Sequence, residues 1–528
     1  MQLPNLTTML HPKLIPVALF SAALLTGGTA LAQTDTSQAL LNLLVKKGLV
    51  TQDEAAQLQQ EAAANAASSA APTASAPMAT GSSAPMAPPA KAVPASTGVS
   101  PLSFRIGVAN FTPVGFMDFT GVFRNKLDGG DIGSSFGSVP YANVNGGQLS
   151  ETRLSAKNSR LGLRLDSTVE DTKVLGYVEA DFLGNAATNL NEVSNSDTLR
   201  MRVYFADVQK GPWELLAGQD WSMLTPNRKG ISPMPSDIFY TQDVDTNYQV
   251  GLVWTRQPQI RVLYHPDDSL TLGLSAENPD QYVGSAEVLP AGFVTTDVDQ
   301  GANGTATPSL LPDLVGKIAY DGTIAPGMPF HLEAAGLYRD FKVNSFAVGG
   351  VNSTSSKSGT AGSINSSLTV APGLSLFETF TYGTGVGRYL STALGPDLVV
   401  NPADANGNFS VSPVLAGAGI LGAEWDVTPV SKFFGYYGAV AYNAKYTQLA
   451  NGSYVGYGYP GSPNTMNHRI EEFTIGEAQT LWKNPSYGDL KVLSQISYVD
   501  RTPFSVAAGA PSSAHLGMLY LDLRYDLP

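Results

Sequence analysis

From Phe104 to the end of the chain, apolar and polar residues alternate in segments of about ten residues, the period of a half-buried strand. The segments run over 114–125, 158–168, 173–184, 198–209, 213–221, 256–265, 269–278, 313–321, 329–341, 359–370, 374–383, 414–427, 431–445, 467–481, 488–501 and 515–526. Short and long connections take turns between them. The short ones carry turn chemistry, as in Lys210-Gly211-Pro212, Ala325-Pro326-Gly327 and Ala371-Pro372-Gly373. The long ones (126–157, 185–197, 222–247, 279–312, 342–358, 384–413, 446–466 and 502–514) are polar and rich in Gly, Asn, Ser and Asp. A soluble sandwich has no reason to gather its long loops at one end, whereas a membrane barrel with short periplasmic turns does. The pattern predicts an all-β chain: a transmembrane antiparallel β-barrel of about 16 strands over 104–528. Tyr248 to Thr255 also reads as a strand and would raise the count to 17 or 18. Closure follows from lipid, because an open sheet edge would leave backbone N–H and C=O groups unpaired in hydrocarbon. At this size the interior is expected to hold a water-filled channel rather than a packed core.

The strand faces agree with a wall between lipid and water. Leu161, Leu163 and Leu165 oppose Arg160, Gly162 and Arg164, and Val174 and Val178 oppose Lys173, Tyr177, Glu179 and Asp181. Met201, Val203 and Phe205 oppose Arg200, Arg202 and Tyr204, while Leu519, Leu521 and Leu523 oppose Asp522 and Arg524. Trp213, Trp221, Trp254, Trp425 and Trp482 lie near predicted strand ends, as interfacial girdles do.

The start of the chain is different. A weakly basic stretch to Lys13, an apolar run over 14–25 and Ala30-Leu31-Ala32 form the layout of a secretory signal peptide over 1–32. The apolar run is too short for a spanning helix, which needs about 20 residues. Residues 33–67 read as a periplasmic helical segment. Leu40, Leu43 and Leu44 keep helical spacing before Gly48, and Thr51-Gln52-Asp53-Glu54 forms a capping box. The two short helices either self-associate or touch a periplasmic partner such as peptidoglycan, or they form a loosely helical tail. Residues 68–103 are a Pro/Ala/Ser-rich linker.

Composition narrows the chemistry. With 31 basic and 44 acidic residues the formal charge is −13, which argues against a nucleic-acid partner. Charged residues make up only 14% of the chain, which suits a surface that does not all face water. There is no Cys, so disulfides, thiolate metal sites and Cys nucleophiles are excluded. His11, His265, His331, His468 and His515 lack metal-ligand spacing, and neither a Gly-x-Ser-x-Gly elbow nor a P-loop occurs. Neighbouring acids such as Glu471-Glu472 point to opposite faces of a strand. No enzyme and no cofactor are expected.

The stronger signal is a set of basic residues on the lumen faces of successive strands. Arg160 and Arg164, Lys173, Arg200 and Arg202, and Arg261 form it, with Tyr204 beside them and Glu179 and Asp181 as acidic partners. Arg153 and Lys157 sit just above. A guanidinium ring in a narrow pore holds carboxylates bidentately and attracts anions. The same arginines can instead pair with Glu179 and Asp181 and brace the wall. The loop 222–247, with Arg228, Lys229 and Asp237, either folds inward as a constriction or covers the outer rim.

Four ordered blocks carry a resemblance. Asn158-Ser159-Arg160-Leu161-Gly162-Leu163, Tyr177-Val178-Glu179-Ala180-Asp181-Phe182, Leu199-Arg200-Met201-Arg202 and Leu216-Ala217-Gly218-Gln219-Asp220-Trp221-Ser222 are similar to blocks of the DcaP-like porins. Gly385-Val386-Gly387-Arg388-Tyr389 resembles a further one, and the helix-plus-linker start is similar to the periplasmic extension of that group. The resemblance implies a 16-stranded homotrimer in the outer membrane of a Gram-negative-type bacterium, passing small anions, with dicarboxylates as the family substrate. It implies Arg160, Arg200 and Arg202 as lumen cations, with Glu179 and Asp181 as partners. The chain departs from the usual barrel ending, because its last aromatic, Tyr525, stands three residues before Pro528.

The expected function is passive diffusion of small hydrophilic solutes, above all anions such as carboxylates. The alternatives are a general or cation-preferring porin, or a barrel-anchored tether to the cell wall.

Overall fold

The computed structural model describes residues 100–184, 198–234, 239–242, 248–301, 308–309, 311–346, 352–390 and 395–528. The expected signal peptide, helical segment and nearly all of the linker lie outside these residues, as does Asp237.

The wall is a closed antiparallel ring of sixteen strands. We number them β1 (Ala109–Arg124), β2 (Glu151–Ser155 and Arg160–Val169), β3 (Thr172–Asp181), β4 (Arg200–Lys210) and β5 (Trp213–Trp221). Next come β6 (Arg256–Tyr264), β7 (Leu270–Glu277), β8 (Asp313–Ala325), β9 (Met328–Phe346), β10 (Asn352–Ala371) and β11 (Leu374–Thr384). The ring is completed by β12 (Leu415–Thr428), β13 (Ser431–Tyr442), β14 (Asn467–Asn484), β15 (Gly488–Pro503) and β16 (Ala514–Asp526). Each strand pairs with its neighbour in the chain. The ring shuts where Phe116–Arg124 of β1 pair with Met518–Asp526 of β16, so every wall strand has partners on both sides.

Alternation puts Leu161, Leu163, Leu272, Leu274, Leu521 and Leu523 on the outside and Arg160, Arg261, Glu277, Asp522 and Arg524 on the inside. Trp213, Trp425 and Trp482 are exposed on the outer face, as a girdle requires. Trp221 and Trp254 are not part of it. They stack on each other inside the barrel with ring centroids 3.6 Å apart.

Two further expectations change. Tyr248–Thr255 is no wall strand. Its apolar residues are buried inside the ring, with Tyr248, Val250 and Leu252 almost wholly covered. Its backbone lies so close to β12 and β13 that a Cβ on Gly438 would stand 1.7 Å from the Val250 carbonyl oxygen. Gly251, at φ +96°, completes the fit: a Cβ there would stand 2.4 Å from the Gly419 carbonyl oxygen. Nor is the ring interior simply an open water-filled bore. Long-loop residues such as Phe136, Val139, Leu224, Phe239, Trp254 and Tyr389 form one continuous apolar core with wall residues Val203, Phe205, Leu337, Tyr436 and Tyr520. A wide ring offers more interior surface than its own side chains can cover, and the loops bury it instead.

Candidate functional site: the bore and its inward loop

Arg160, Arg200 and Arg202 of β2 and β4 converge on the acids of β3, and each lies beside one of them. Asp181 is fully buried and accepts Arg200 Nε at 3.0 Å and Nη2 at 2.6 Å, the bidentate geometry of a guanidinium on a carboxylate. Arg202 donates to Glu179 at 2.6 Å and to Asp181 at 3.0 Å. Arg160 lies 4.0 Å from Glu179 and over the Phe116 ring, and the Tyr177 hydroxyl donates to Glu179 at 3.2 Å. Arg261 pairs with Asp220 at 3.1 Å, and Arg164 with Asp166 at 2.7 Å. Arg160, Arg202 and Arg261 are buried, whereas the side chains of Arg164 and Arg200 stay about one-third exposed and Lys173 is exposed near the short-turn end.

Tyr204 does not join them. It faces outward and is 55% exposed, while Val203 and Phe205, expected outside, are buried inside. The cause is a β-bulge. Glu179 pairs with Val203 but Ala180 pairs with Met201, so Arg202 is an extra residue in β4. An inserted residue reverses the phase of every side chain beyond it. The bulge keeps Arg200 and Arg202 both inside and turns Val203, Phe205 and Asp207 inward below them. Strict alternation read from sequence cannot register such an insertion.

The segment between β5 and β6 folds into the ring. Its backbone is caught by acidic and amide side chains on the lumen faces of several strands. Met223 N donates to Glu277 of β7 at 2.8 Å, Gly230 N to Asp321 of β8 at 2.9 Å and Asn227 N to Glu333 of β9 at 3.2 Å. Lys317 of β8 donates to the Thr225 carbonyl at 2.8 Å. Further along, Gln242 N donates to Gln495 of β15 at 2.8 Å, Val250 N donates to Glu472 of β14 at 2.9 Å, and Arg524 of β16 donates to Gln242 Oε1 at 3.0 Å.

Arg228 reaches the far wall. Its guanidinium forms a two-pronged pair with Glu424 of β12, one prong at 3.0 Å, and lies over the Phe377 ring. Strand β12 is seven positions around a ring of sixteen from β5, so the loop crosses almost the full bore. Tyr436 Oη donates to the same carboxylate at 2.8 Å. Lys229, next to Arg228, is exposed. The acceptors Glu277, Asp321, Glu333, Glu424 and Glu472 escape a sequence reading that follows only the basic set. Their one sequence signal is a lone acid at an inward position of a strand. Among the described residues, no group of three or more His, Asp and Glu side chains is placed to hold a metal ion.

No family model matches the chain, and no curated protein matches it in sequence. Solved structures do match its fold. The crystal structure of the outer membrane channel DcaP of Acinetobacter baumannii aligns with a TM-score of 0.55 at 19% identity, over 79% of this chain and 97% of that one. OprB of Pseudomonas putida aligns with a TM-score of 0.44 at 12% identity, over 79% and 94% of the two chains. OmpF of Salmonella typhi aligns with a TM-score of 0.43 at 9% identity, over 80% and 100%. With its sixteen antiparallel strands and long loops gathered at one end, this chain has the fold of the outer-membrane porins, as the likeness to the DcaP channel shows.

Proposed function

We propose that the protein is an outer-membrane porin that lets small hydrophilic solutes, preferentially anions such as carboxylates, diffuse across a bore narrowed by the loop after β5. The observation that carries the reading is the crossing of that loop from β5 to Glu424 of β12, which divides the interior. The buried pairs Arg202–Glu179–Asp181 and Arg261–Asp220 serve as braces. Anion preference then falls to the cations still open to water: Arg164, Lys173, Arg200 and Lys229. Residues 1–32 would direct export and 33–103 would extend into the periplasm. The outer wall would meet lipid and, in a homotrimer, two further copies of the chain.

The test is a reversal potential in a salt gradient across planar bilayers. The wild type should prefer anions, and Arg164→Ala combined with Arg200→Ala should shift the reversal potential toward the cation side. An unshifted potential in the double variant would reject the assignment of selectivity. The continuous apolar core inside the ring favours a second reading, a plugged barrel that anchors a cell-wall tether. Folded barrels that never conduct would select it.

A further inference from the structure

Three long loops meet beside one buried carboxyl group. The loop after β7 (278–312) carries Glu287, the loop after β11 (385–414) carries the hairpin Leu398–Asn401 with Ser410–Pro413, and the loop after β13 (443–466) carries the hairpin Lys445–Gln448 with Tyr454–Tyr457. Glu287 is 7% exposed. Its Oε1 accepts the Val400 N–H of the first hairpin at 2.9 Å, and its Oε2 has no partner. The next residue, Val288, exchanges two backbone hydrogen bonds with Gly456 of the second hairpin, at 2.8 and 3.2 Å. Beside this junction, Val283, Val298, Leu398, Val400 and Val411 pack on Phe341 and Val343 of the inner face of β9. The three loops therefore pack together as one cap against the inner face of β9 at the long-loop end, with Glu287 at their junction.

The surrounding charged groups make other contacts or face water. On the same loop, Asp297 accepts Asn344 N and Asp299 accepts Gly301 N, while Asp280 lies 3.9 Å from Arg388. Next to the first hairpin, Asp397 pairs with Arg339 at 2.8 Å, and within it Asp404 caps its own exposed turn. On the second, Lys445 is exposed, Tyr446 and Tyr454 stack edge to face, and the Tyr457 hydroxyl donates to the Asn467 carbonyl. On β9, Lys342 is 3.6 Å from Asp340. Among the described residues, none of these bonds the Glu287 carboxyl.

We propose that Glu287 is a proton-operated clasp of this cap, holding the three loops together while its carboxyl is neutral and releasing them when it ionises. A carboxylate formed there would have one N–H donor and no countercharge, an arrangement that costs several kcal/mol unless the loops part and admit water. Burial pushes the Glu287 carboxyl well above the ordinary carboxylate range, and the Val400 N–H opposes this only in part. The sign follows. The closed cap holds the proton to higher pH than the open one, so closure is favoured at acid pH. It weakens as the pH rises from the ordinary carboxylate value toward that of the closed cap.

The inference deepens the channel reading and rests on it for its effect on flux, so two readouts are needed. In planar bilayers, wild-type mean conductance should rise several-fold between about pH 5 and about pH 9, and Glu287→Gln should hold the low value at both. Separately, hydrogen exchange of the Val400 and Gly456 amides in the detergent-folded barrel should lose protection at alkaline pH in the wild type. The same comparison corrects for intrinsic exchange, because Glu287→Gln should stay protected. Glu287→Gln barrels that open or exchange with pH as the wild type does would overturn the clasp. If no variant conducts, the channel reading falls, and the exchange data still decide the clasp.

Discussion

Arg228 and Glu424 join opposite sides of the barrel. The guanidinium is carried by the loop after β5 and the carboxylate by β12, and Tyr436 and Lys432 approach the same acid. This pair is the far anchor of the inward loop, and its near anchors are Glu277, Asp321 and Glu333. Glu424→Gln keeps the shape and removes the charge. Single-channel conductance is expected to increase as the loop loses its hold, with Arg228→Ala giving a similar increase. The double variant should add little, because both changes break one interaction. Additive effects would show that the two residues act independently.

Asp181 ties Arg200 and Arg202 together. Asp181→Asn leaves the buried Arg202 guanidinium short of negative charge, which is expected to lower barrel stability by on the order of 3 kcal/mol. A heat-modifiability gel would show unfolding at a lower temperature. The same variant should make the bore more anion-selective, since Arg200 keeps its charge and loses its partner. A reversal potential equal to wild type would place Arg200 outside the conducting path.

The bulge at Arg202 gives Tyr204 a lipid-facing position. Tyr204→Ala is expected to leave ion selectivity unchanged. Tyr204→Lys should destabilise the folded barrel in bilayers, by up to about 2–4 kcal/mol if the site lies at the bilayer midplane. Chemical denaturation in liposomes measures this. A selectivity change in the alanine variant would mean that Tyr204 faces the lumen after all.

Gly438 admits the 248–254 segment. In Gly438→Ala the new methyl would collide with the Val250 carbonyl oxygen. The segment should move off the wall, separating Trp254 from Trp221 and weakening their coupled near-ultraviolet circular dichroism signal. An unchanged signal would show that the segment docks elsewhere.

Asp280 supplies a second pH dependence. Burial raises its carboxyl to about 6, against the pull of Arg388. The docked loop therefore binds the proton more tightly than the free loop. The resulting stabilisation is complete below about pH 4, declines as the pH rises and is lost by about pH 6. Asp280→Asn should remove that part of the slope in thermal stability measured across this range. The Glu287 contribution should persist.

The linear pattern alone was enough to place the wall. Strand positions, the alternation of short turns and long loops, and the inward side of β2, β3 and β16 follow from a period of two, because lipid and water sort side chains on every residue of a spanning strand; the exception is 342–358, read as a long loop, most of which pairs as the ends of β9 and β10. It also brought Arg160, Arg200, Arg202, Glu179 and Asp181 to one patch, since neighbouring antiparallel strands lie side by side. Only the tertiary structure decided what fills the ring. Tyr248–Thr255 alternates like a strand but ends up packed inside, because alternation reports that one face is buried and not which surface buries it. The face of Tyr204 was reversed by a single inserted residue, which leaves no trace in local composition. The pairing of Arg228 with Glu424 joins residues 196 apart in the chain. Such a contact depends on the diameter of the closed ring and the reach of a loop across it, and neither quantity is written in any local stretch of sequence.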